Sequence, residues 1–314
     1  MNSHKVSAAT SAPAQAAARL SGATTLDAEG RGLVLGLLGV LAFSLTLPAT
    51  RAAVTAFDPW FVGVARCVVA AVPAGLYLLL GRHRLPTRAE FFKLLAVSAC
   101  VAVLFPALSA LAMVQVGASQ GSVTLGLLPL ATAVAGTLLA RERPSRGFWV
   151  LAVLGSGLVA LFSLLRGGGA LQVADLILLA SVVVSAVGYA LGAMLAGALG
   201  GLAVISWALV LAAPWVLLPA VFLFPDPLPL LSPAWVGLAY VCLISQFLGF
   251  LPWYRALALG GIARVGQVQL LQPFFTIAAA WGLLGEAIDL LTLGFALAIL
   301  AVVVAGKRFS TVRR

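Results

Sequence analysis

Runs of about 20 apolar residues, separated by short breaks rich in Gly, Pro or charged residues, fill the chain from Gly32 to Gly306. A run of that length is what a helix needs to cross about 30 Å of hydrocarbon. Unpaired backbone groups are costly in lipid and the alternation typical of barrel strands is absent, so the runs predict helices. We predict an all-α integral membrane protein with ten transmembrane helices, at approximately Gly32–Val54, Pro59–Leu80, Phe91–Val116, Ser119–Ala140, Gly147–Leu165, Ala174–Leu199, Leu202–Phe224, Ala234–Tyr254, Ala263–Leu284 and Ile288–Gly306.

The composition excludes a water-soluble domain. The chain is 62% hydrophobic and 9% charged, whereas roughly a quarter of the residues in a soluble domain are charged. Cys67, Cys100 and Cys242 each fall inside an apolar run, where cysteine acts as a small packing residue. We therefore expect no disulfide framework, no metal and no cofactor.

The positive charges predict the orientation in the membrane. If the amino terminus is cytoplasmic, 16 of the 19 Lys and Arg residues lie on the inside, as the positive-inside rule requires. Arg51 and Arg166 fall in outside loops, and Arg66 lies within the second apolar run. The pattern predicts a multi-pass membrane protein with both termini cytoplasmic, and it explains the net charge of +10 without a nucleic-acid partner. Membrane lipid and a small-molecule substrate are the expected partners, and the chain could act as a monomer.

An internal repeat divides the chain into two halves. Compared with itself at an offset of 144, the sequence repeats Pro129, Thr132, Ala135, Leu139 and Glu142 as Pro273, Thr276, Ala279, Leu283 and Glu286. An offset spanning five helices gives the halves opposite orientations, as in many secondary transporters. We predict a disordered cytoplasmic tail at residues 1–30, five-helix repeats at 31–168 and 169–306, and a basic cytoplasmic tail at 307–314.

These repeat endings, together with Tyr254-Arg255-Ala256-Leu257, resemble the drug/metabolite transporter superfamily in its ten-helix EamA form. The resemblance covers about residues 32–306 and implies two inverted repeats and transport of small molecules. Within the superfamily the chain is most similar to YddG-type amino-acid exporters of bacterial inner membranes. It departs from the pattern in the first repeat, where Ala110-Leu111-Ala112 replaces the aromatic entry.

All nine acidic residues lie in the tails or near the ends of the predicted helices. Ion-coupled carriers and exporters of organic cations commonly keep a carboxylate near the midplane. Carriers of phosphorylated compounds would be expected to hold several Lys or Arg in the cavity, yet Arg66 is alone there. A neutral or zwitterionic solute fits best.

Candidate site residues follow from polar side chains inside the apolar runs. Arg66 could attract a substrate carboxylate, or it could snorkel outward or cap carbonyls of a neighbouring helix. Glu142 and Glu286 could each take part in transport. Alternatively, each could have a structural role at the start of the helix that follows it, where the helix dipole favours a carboxylate. Uncharged polar side chains in the membrane are either interhelical hydrogen-bonding groups or pocket residues. The candidates for a substrate cavity are Gln246, Gln269, Gln272, Trp253, Tyr254, Tyr189, Ser44 and Arg66.

Prolines inside the predicted helices are candidate hinges, because each removes a helical hydrogen bond. They also occur as static kinks in membrane helices. The six candidates are Pro73, Pro106, Pro129, Pro214, Pro252 and Pro273.

The sequence thus predicts a secondary transporter that exports amino acids or similar small metabolites by alternating access, driven by the substrate gradient alone. Two alternatives stay open: a broad exporter of hydrophobic drugs or metabolites with proton coupling, and a membrane receptor or scaffold that transports nothing. An enzyme is disfavoured, because His4 and His83 lie in a tail and a loop and we expect no H-E-x-x-H, G-x-S-x-G or P-loop site in the chain.

Overall fold

The computed structural model describes residues 30–140, 146–166, 172–227, 229 and 232–307. Over this part of the chain every regular element is a helix and no strand occurs, so the prediction of an all-helical protein is confirmed. The predicted tails, apart from their junctions with the first and last helices, and the candidate Glu142 lie outside the described residues.

The chain folds into a bundle of helices with short connections. We number the helices in chain order: α1 Gly30–Ala53, α2 Pro59–Leu80, α3 Arg88–Gln115, α4 Ala118–Leu139, α5 Arg146–Arg166, α6 Val173–Leu199, α7 Gly201–Phe222, α8 Ala234–Gly260, α9 262–284 and α10 Leu290–Lys307.

Among the described residues, seven of these helices are long and apolar enough to cross a membrane by length and composition, namely α1 to α4 and α6 to α8. The apolar stretches of α5, α9 and α10 are shorter over the residues described, and they span Trp149–Val159, Val268–Leu284 and Leu290–Val302. Large apolar side chains on the outer faces of the bundle remain exposed, among them Trp215, Phe222 and Leu290. In a multi-pass membrane protein such side chains contact lipid.

Local sequence signals set the helix ends. Asp58 accepts hydrogen bonds from the backbone N–H groups of Trp60 and Phe61 and caps α2, whose first residue is Pro59. Thr87 and Glu90 form a capping box at α3. Gly200 adopts a φ of +86° between α6 and α7, a conformation that favours glycine and turns the chain within one residue.

Two helices contain π-helical segments at equivalent positions. The segments are Ser98–Leu104 in α3 and Tyr240–Leu248 in α8, and their last residues lie 144 positions apart, the same offset as the sequence repeat. Pro106 and Pro252 stand in the first turn of regular helix after them. Because proline lacks a backbone N–H, the carbonyl groups before it cannot all pair in regular α geometry.

A second pair of interruptions lies in α4 and α9. In α4 the regular helix is broken by a turn at Gly126-Leu127, and it resumes at Leu128 with Pro129 as its second residue. In α9 a 3₁₀ segment, Gln267–Leu271, precedes Pro273 in the same position. The other two candidate hinges, Pro73 and Pro214, lie inside uninterrupted helices. Four of the six prolines therefore mark breaks in the helical geometry.

The core lies where the two halves of the chain interleave. α2 packs along α7, the second part of α4 packs along α6, and α5 packs along α10. On the other side, α1 contacts the first part of α8 so closely that a methyl group on Gly237 would lie 2.4 Å from the Ala49 carbonyl oxygen. The buried core thus draws on both halves of the chain, and α4 is the most buried of the seven longer spans.

Candidate functional site

A buried arginine lies where α1, α2 and α8 meet. Arg66 is 1% exposed, and its Nη2 donates to the Ser245 hydroxyl at 3.1 Å. Ser245 in turn shares a 2.7 Å hydrogen bond with the Thr46 hydroxyl. The side chain is enclosed by protein, so the expectation that it snorkels to the surface is wrong. Its Nε and Nη1 have no hydrogen-bond partner among the described residues.

The groups around this guanidinium are neutral. The Arg66 Cζ lies 5.8 Å from the centre of the Phe105 ring, a cation–π contact. Cys242 and Tyr189 are close enough to interact with the charge electrostatically. Arg66, Ser245, Thr46, Tyr189 and Cys242, with Phe105 beneath them, form what we call the Arg66 cluster.

The described carboxylates lie at helix ends, away from the Arg66 cluster. Asp58, Glu90, Asp175 and Asp289 each accept a hydrogen bond from a backbone N–H at the start of the helix that they cap. Asp226 is in the loop after α7. The first four side chains thus serve helix termini, where a carboxylate is stabilised by the helix dipole.

Gln246 lies next to Ser245 and links the two π segments. Its Nε2 donates to the Val101 carbonyl oxygen at 3.0 Å, and the side chain is buried. The interaction joins α8 to α3 across 145 residues of sequence. A glutamine that sequence analysis placed in a cavity is thus also a contact between the halves of the protein.

An aromatic wall adjoins the Arg66 cluster through Tyr189. The rings of Phe43, Tyr189, Phe250 and Trp253 contact one another, with centroids 4.9 to 6.4 Å apart. The Trp253 Nε1 is buried without a hydrogen-bond partner. Sequence analysis identified Tyr189 and Trp253 and missed Phe43 and Phe250. Their spacing gave a signal, because Phe43 adjoins Ser44 and Phe250 lies three residues before Trp253 on the same helical face.

Other predicted cavity residues satisfy their hydrogen bonds within the bundle. The Ser44 hydroxyl donates to the Val40 carbonyl of its own helix, and the Ser44 carbonyl accepts from Thr276 of α9. The Tyr254 hydroxyl donates to the Gly188 carbonyl at 3.4 Å. These two residues therefore hold helices together.

Gln269 and Gln272 lie on α9, which Thr276 ties to α1. Both glutamines are buried, and neither the Oε1 nor the Nε2 of Gln269 has a hydrogen-bond partner. Of the predicted cavity residues, Arg66, Trp253 and Gln269 thus retain buried polar atoms without a partner. In native proteins such atoms usually bind water or ligand.

Glu286 lies between α9 and α10 and has a structural role there. Its carboxylate accepts hydrogen bonds from the backbone N–H groups of Ala118 and Ser119, at 2.8 and 2.9 Å. The helix that it caps is α4, which differs from the expectation that it favours the helix following it. A cavity of about 440 Å³ beside it is lined by Arg51, Thr55, Gln120, Glu286, Asp289 and Thr292.

The first turn of α4 contains a G-x-S-x-G spacing, from Gly117 to Gly121 around Ser119, so the expectation that the chain lacks this spacing is wrong. In hydrolases this spacing places a serine on a sharp strand-to-helix turn beside a histidine. Here no strand precedes the motif, and the described histidine, His83, packs on Tyr77 at the end of α2. The motif therefore serves as the capped start of a helix.

Comparison with known proteins gives a consistent result. The model of the EamA-like transporter family matches residues 30–164 and again residues 172–306. The chain is 46% identical over 280 residues to the uncharacterized transporter YdeK of Bacillus subtilis strain 168, covering 89% of this chain and 98% of that protein. One solved crystal structure matches 90% of this chain and 97% of its own chain, with a TM-score of 0.64 and 15% identity, a likeness of fold alone.

The relative in Bacillus subtilis is named as a transporter. The apolar spans of the helical bundle and the two matches to the family model agree with that name. The protein is a multi-pass membrane transporter, and its chain belongs to the EamA-like transporter family.

Proposed function

We propose that this protein is a secondary transporter of the bacterial inner membrane that exports amino acids or similar small neutral or zwitterionic metabolites by alternating access. The observation that carries the proposal is the Arg66 cluster, a buried polar centre with one positive charge and no described carboxylate. A polar group in a membrane interior is costly unless it serves a pathway or a partner. This centre suits a solute that brings its own negative group.

The proposed membrane topology has ten transmembrane helices in two inverted five-helix repeats, 31–168 and 169–306, with cytoplasmic tails at 1–30 and 307–314. In this arrangement the shorter helices α5, α9 and α10 also cross the membrane and, with the seven longer spans, give ten. The two family matches and the equivalent π segments support the repeat. The distribution of Lys and Arg supports the orientation.

The proposed motion uses the interrupted helices. Pro106, Pro129, Pro252 and Pro273 follow π, turn or 3₁₀ segments, where fewer regular hydrogen bonds resist bending. We expect α3, α4, α8 and α9 to bend at these points and expose the centre to each side of the membrane in turn.

The proposed subtype is an amino-acid exporter of the YddG kind, driven by the substrate gradient. The lack of a described midplane carboxylate supports transport without proton coupling, because such couplings commonly use that group. The alternative, a broad exporter of hydrophobic drugs or metabolites with proton coupling, is less well supported for cationic drugs, since the central charge is positive.

Flux measurements test this proposal. Purified protein is reconstituted in liposomes, and uptake of radiolabelled amino acids is measured with and without a pH gradient, against liposomes without protein. We expect saturable flux that follows the amino-acid gradient and does not require the pH gradient. Absence of amino-acid flux in both conditions would overturn the proposal, and flux only with a pH gradient would overturn its uncoupled form.

A further inference from the structure

We propose that Arg66 is the binding point for a carboxylate of the transported solute and that the solute's amino group is not needed for recognition. The substrate class then comprises small monocarboxylates in general, of which amino acids are one kind. This inference rests on the proposed function and names the chemistry of its central site.

The guanidinium is held in a geometry that leaves a binding edge. Nη2 donates one hydrogen to Ser245, and it carries a second hydrogen. Nη1 and Nε make no hydrogen bond to any residue that the structure describes. The two Nη2 hydrogens lie on different edges of the planar guanidinium. The one that Ser245 does not use therefore forms a single two-pronged edge with Nε or with Nη1, and such an edge matches the two oxygens of a carboxylate. Thr46 orients Ser245 by the 2.7 Å bond between their hydroxyls, so the edge is held from two helices.

Electrostatics favours an anion at this point. A buried charge without a partner is expensive, and it is compensated best by an opposite charge with hydrogen bonds. The described carboxylates that could compensate it instead cap helix ends, including Asp58 at the start of the same helix. A solute carboxylate would supply the missing charge, and a cationic solute would be repelled.

Among the described residues, no carboxylate lies in the cluster to pair with an ammonium group. Ser245, Phe105, Tyr189 and Cys242 lie around the guanidinium, and none of them carries a negative charge at neutral pH. An aromatic wall continues from Tyr189 to Trp253 at 5.6 Å between ring centres, and it suits an apolar part of the solute. Removal of the amino group from an amino acid should therefore leave binding largely intact.

Three probes of one carbon skeleton test this selectivity on the unaltered protein: L-leucine, isocaproate, which lacks the amino group, and L-leucinamide, which lacks the carboxylate. Binding to purified full-length protein in nanodiscs is measured by titration calorimetry. We expect L-leucine and isocaproate to bind within about tenfold of each other, and L-leucinamide to bind at least about thirtyfold more weakly, the cost of losing one partner of a buried charge pair.

Variants test the residue itself. Arg66→Gln should weaken binding of isocaproate at least about thirtyfold. Arg66→Lys keeps the charge but loses the planar edge, so its affinity for isocaproate should lie between those of Arg66→Gln and the unaltered protein. Arg88→Gln changes an exposed arginine and should bind as the unaltered protein does. Because Arg66→Gln removes a buried charge, it is expected to fold, and the comparison of probes needs no variant.

The proposal fails if L-leucinamide binds as tightly as isocaproate, if Arg66→Gln keeps full affinity, or if neither carboxylate probe binds. The outcomes separate it from the proposed function. If carboxylates bind in an Arg66-dependent way but no flux is found, the proposed transport of these solutes is contradicted and the proposed binding site is supported. Flux of solutes that lack a carboxylate would keep a transporter and overturn the role of Arg66.

Discussion

The Gln246 side chain donates a hydrogen bond from Nε2 to the Val101 carbonyl oxygen, at 3.0 Å. Both residues lie in π segments, and the segments occupy equivalent positions in the two halves of the chain. A π turn widens the helix and leaves carbonyl groups that are not held in regular α geometry. The bond therefore joins the two least regular parts of α3 and α8 next to the Arg66 cluster.

Substitution of Gln246 by Leu should lower the free energy of unfolding by about 1 to 3 kcal/mol, since the Val101 carbonyl loses its side-chain donor in a buried site. Thermal unfolding in detergent measures this. The same change at Gln120, which is partly exposed beside the Glu286 cavity, is the matched control and should have a smaller effect. Equal effects at the two positions would contradict the structural importance of the Gln246 bond.

Glu286 should contribute to stability through α4. Glu286→Ala removes both acceptors of the Ala118 and Ser119 N–H groups, and loss of a helix cap costs about 0.5 to 2 kcal/mol. Glu286→Gln removes the charge but keeps one oxygen acceptor, so it should lose less stability than Glu286→Ala, and the difference between the two variants reports the contribution of that acceptor. Midpoints of thermal unfolding for the three proteins measure both losses of stability. If the Ala variant is as stable as the original protein, the cap is not contributing to the fold.

Close packing of α6 against α8 depends on Gly192. A Cβ atom at this position would lie 2.2 Å from the Tyr254 ring, and that ring is fully buried and packed on Phe250 at 5.2 Å between centres. Gly192→Ala should therefore destabilise the protein by about 1 to 3 kcal/mol through overpacking. Gly197 on the same helix has open space around it, so Gly197→Ala should be neutral or slightly stabilising. Unfolding midpoints that do not separate these variants would contradict the close contact of α6 with Tyr254.

The sequence predicted the helices because their apolar runs are long and local. The ends of α2 and α3 were equally local, since Asp58 and Thr87 act within three residues of the backbone groups that they cap. Arg66 shows the limit: a single sequence places an arginine on a helix but does not orient it, and its partner Ser245 lies 179 residues away.

Other long-range features were also beyond sequence reasoning. Glu286 caps a helix that begins 168 residues before it, so the expectation of a role at the next helix was wrong about which helix it caps. The π segments have no sequence signature beyond the prolines that follow them, and the Phe43–Phe250 contact depends on how α1 and α8 pack. The family itself was predictable, because its repeat endings are visible in the chain.

The proposed orientation can be tested with single cysteines in loops at opposite ends of the bundle. Leu85, between α2 and α3, is 77% exposed, and Ala287, between α9 and α10, is also exposed. If both termini are cytoplasmic, Leu85 faces the cytoplasm and Ala287 faces the outside. A membrane-impermeant maleimide should then label Ala287→Cys in intact spheroplasts and label Leu85→Cys only after permeabilisation.

The unaltered protein is the background control for this labelling, and it should react weakly because Cys67 and Cys242 are buried and Cys100 is half-buried. The measurement also tests the number of spans. With both termini cytoplasmic and ten crossings, two and nine crossings precede the two loops, which places them on opposite sides. If one of the shorter helices between them, α5 or α9, failed to cross, both cysteines would face the same side. Labelling of both in intact cells, or of neither, would therefore contradict the ten-helix arrangement, and a reversed pattern would contradict the orientation alone.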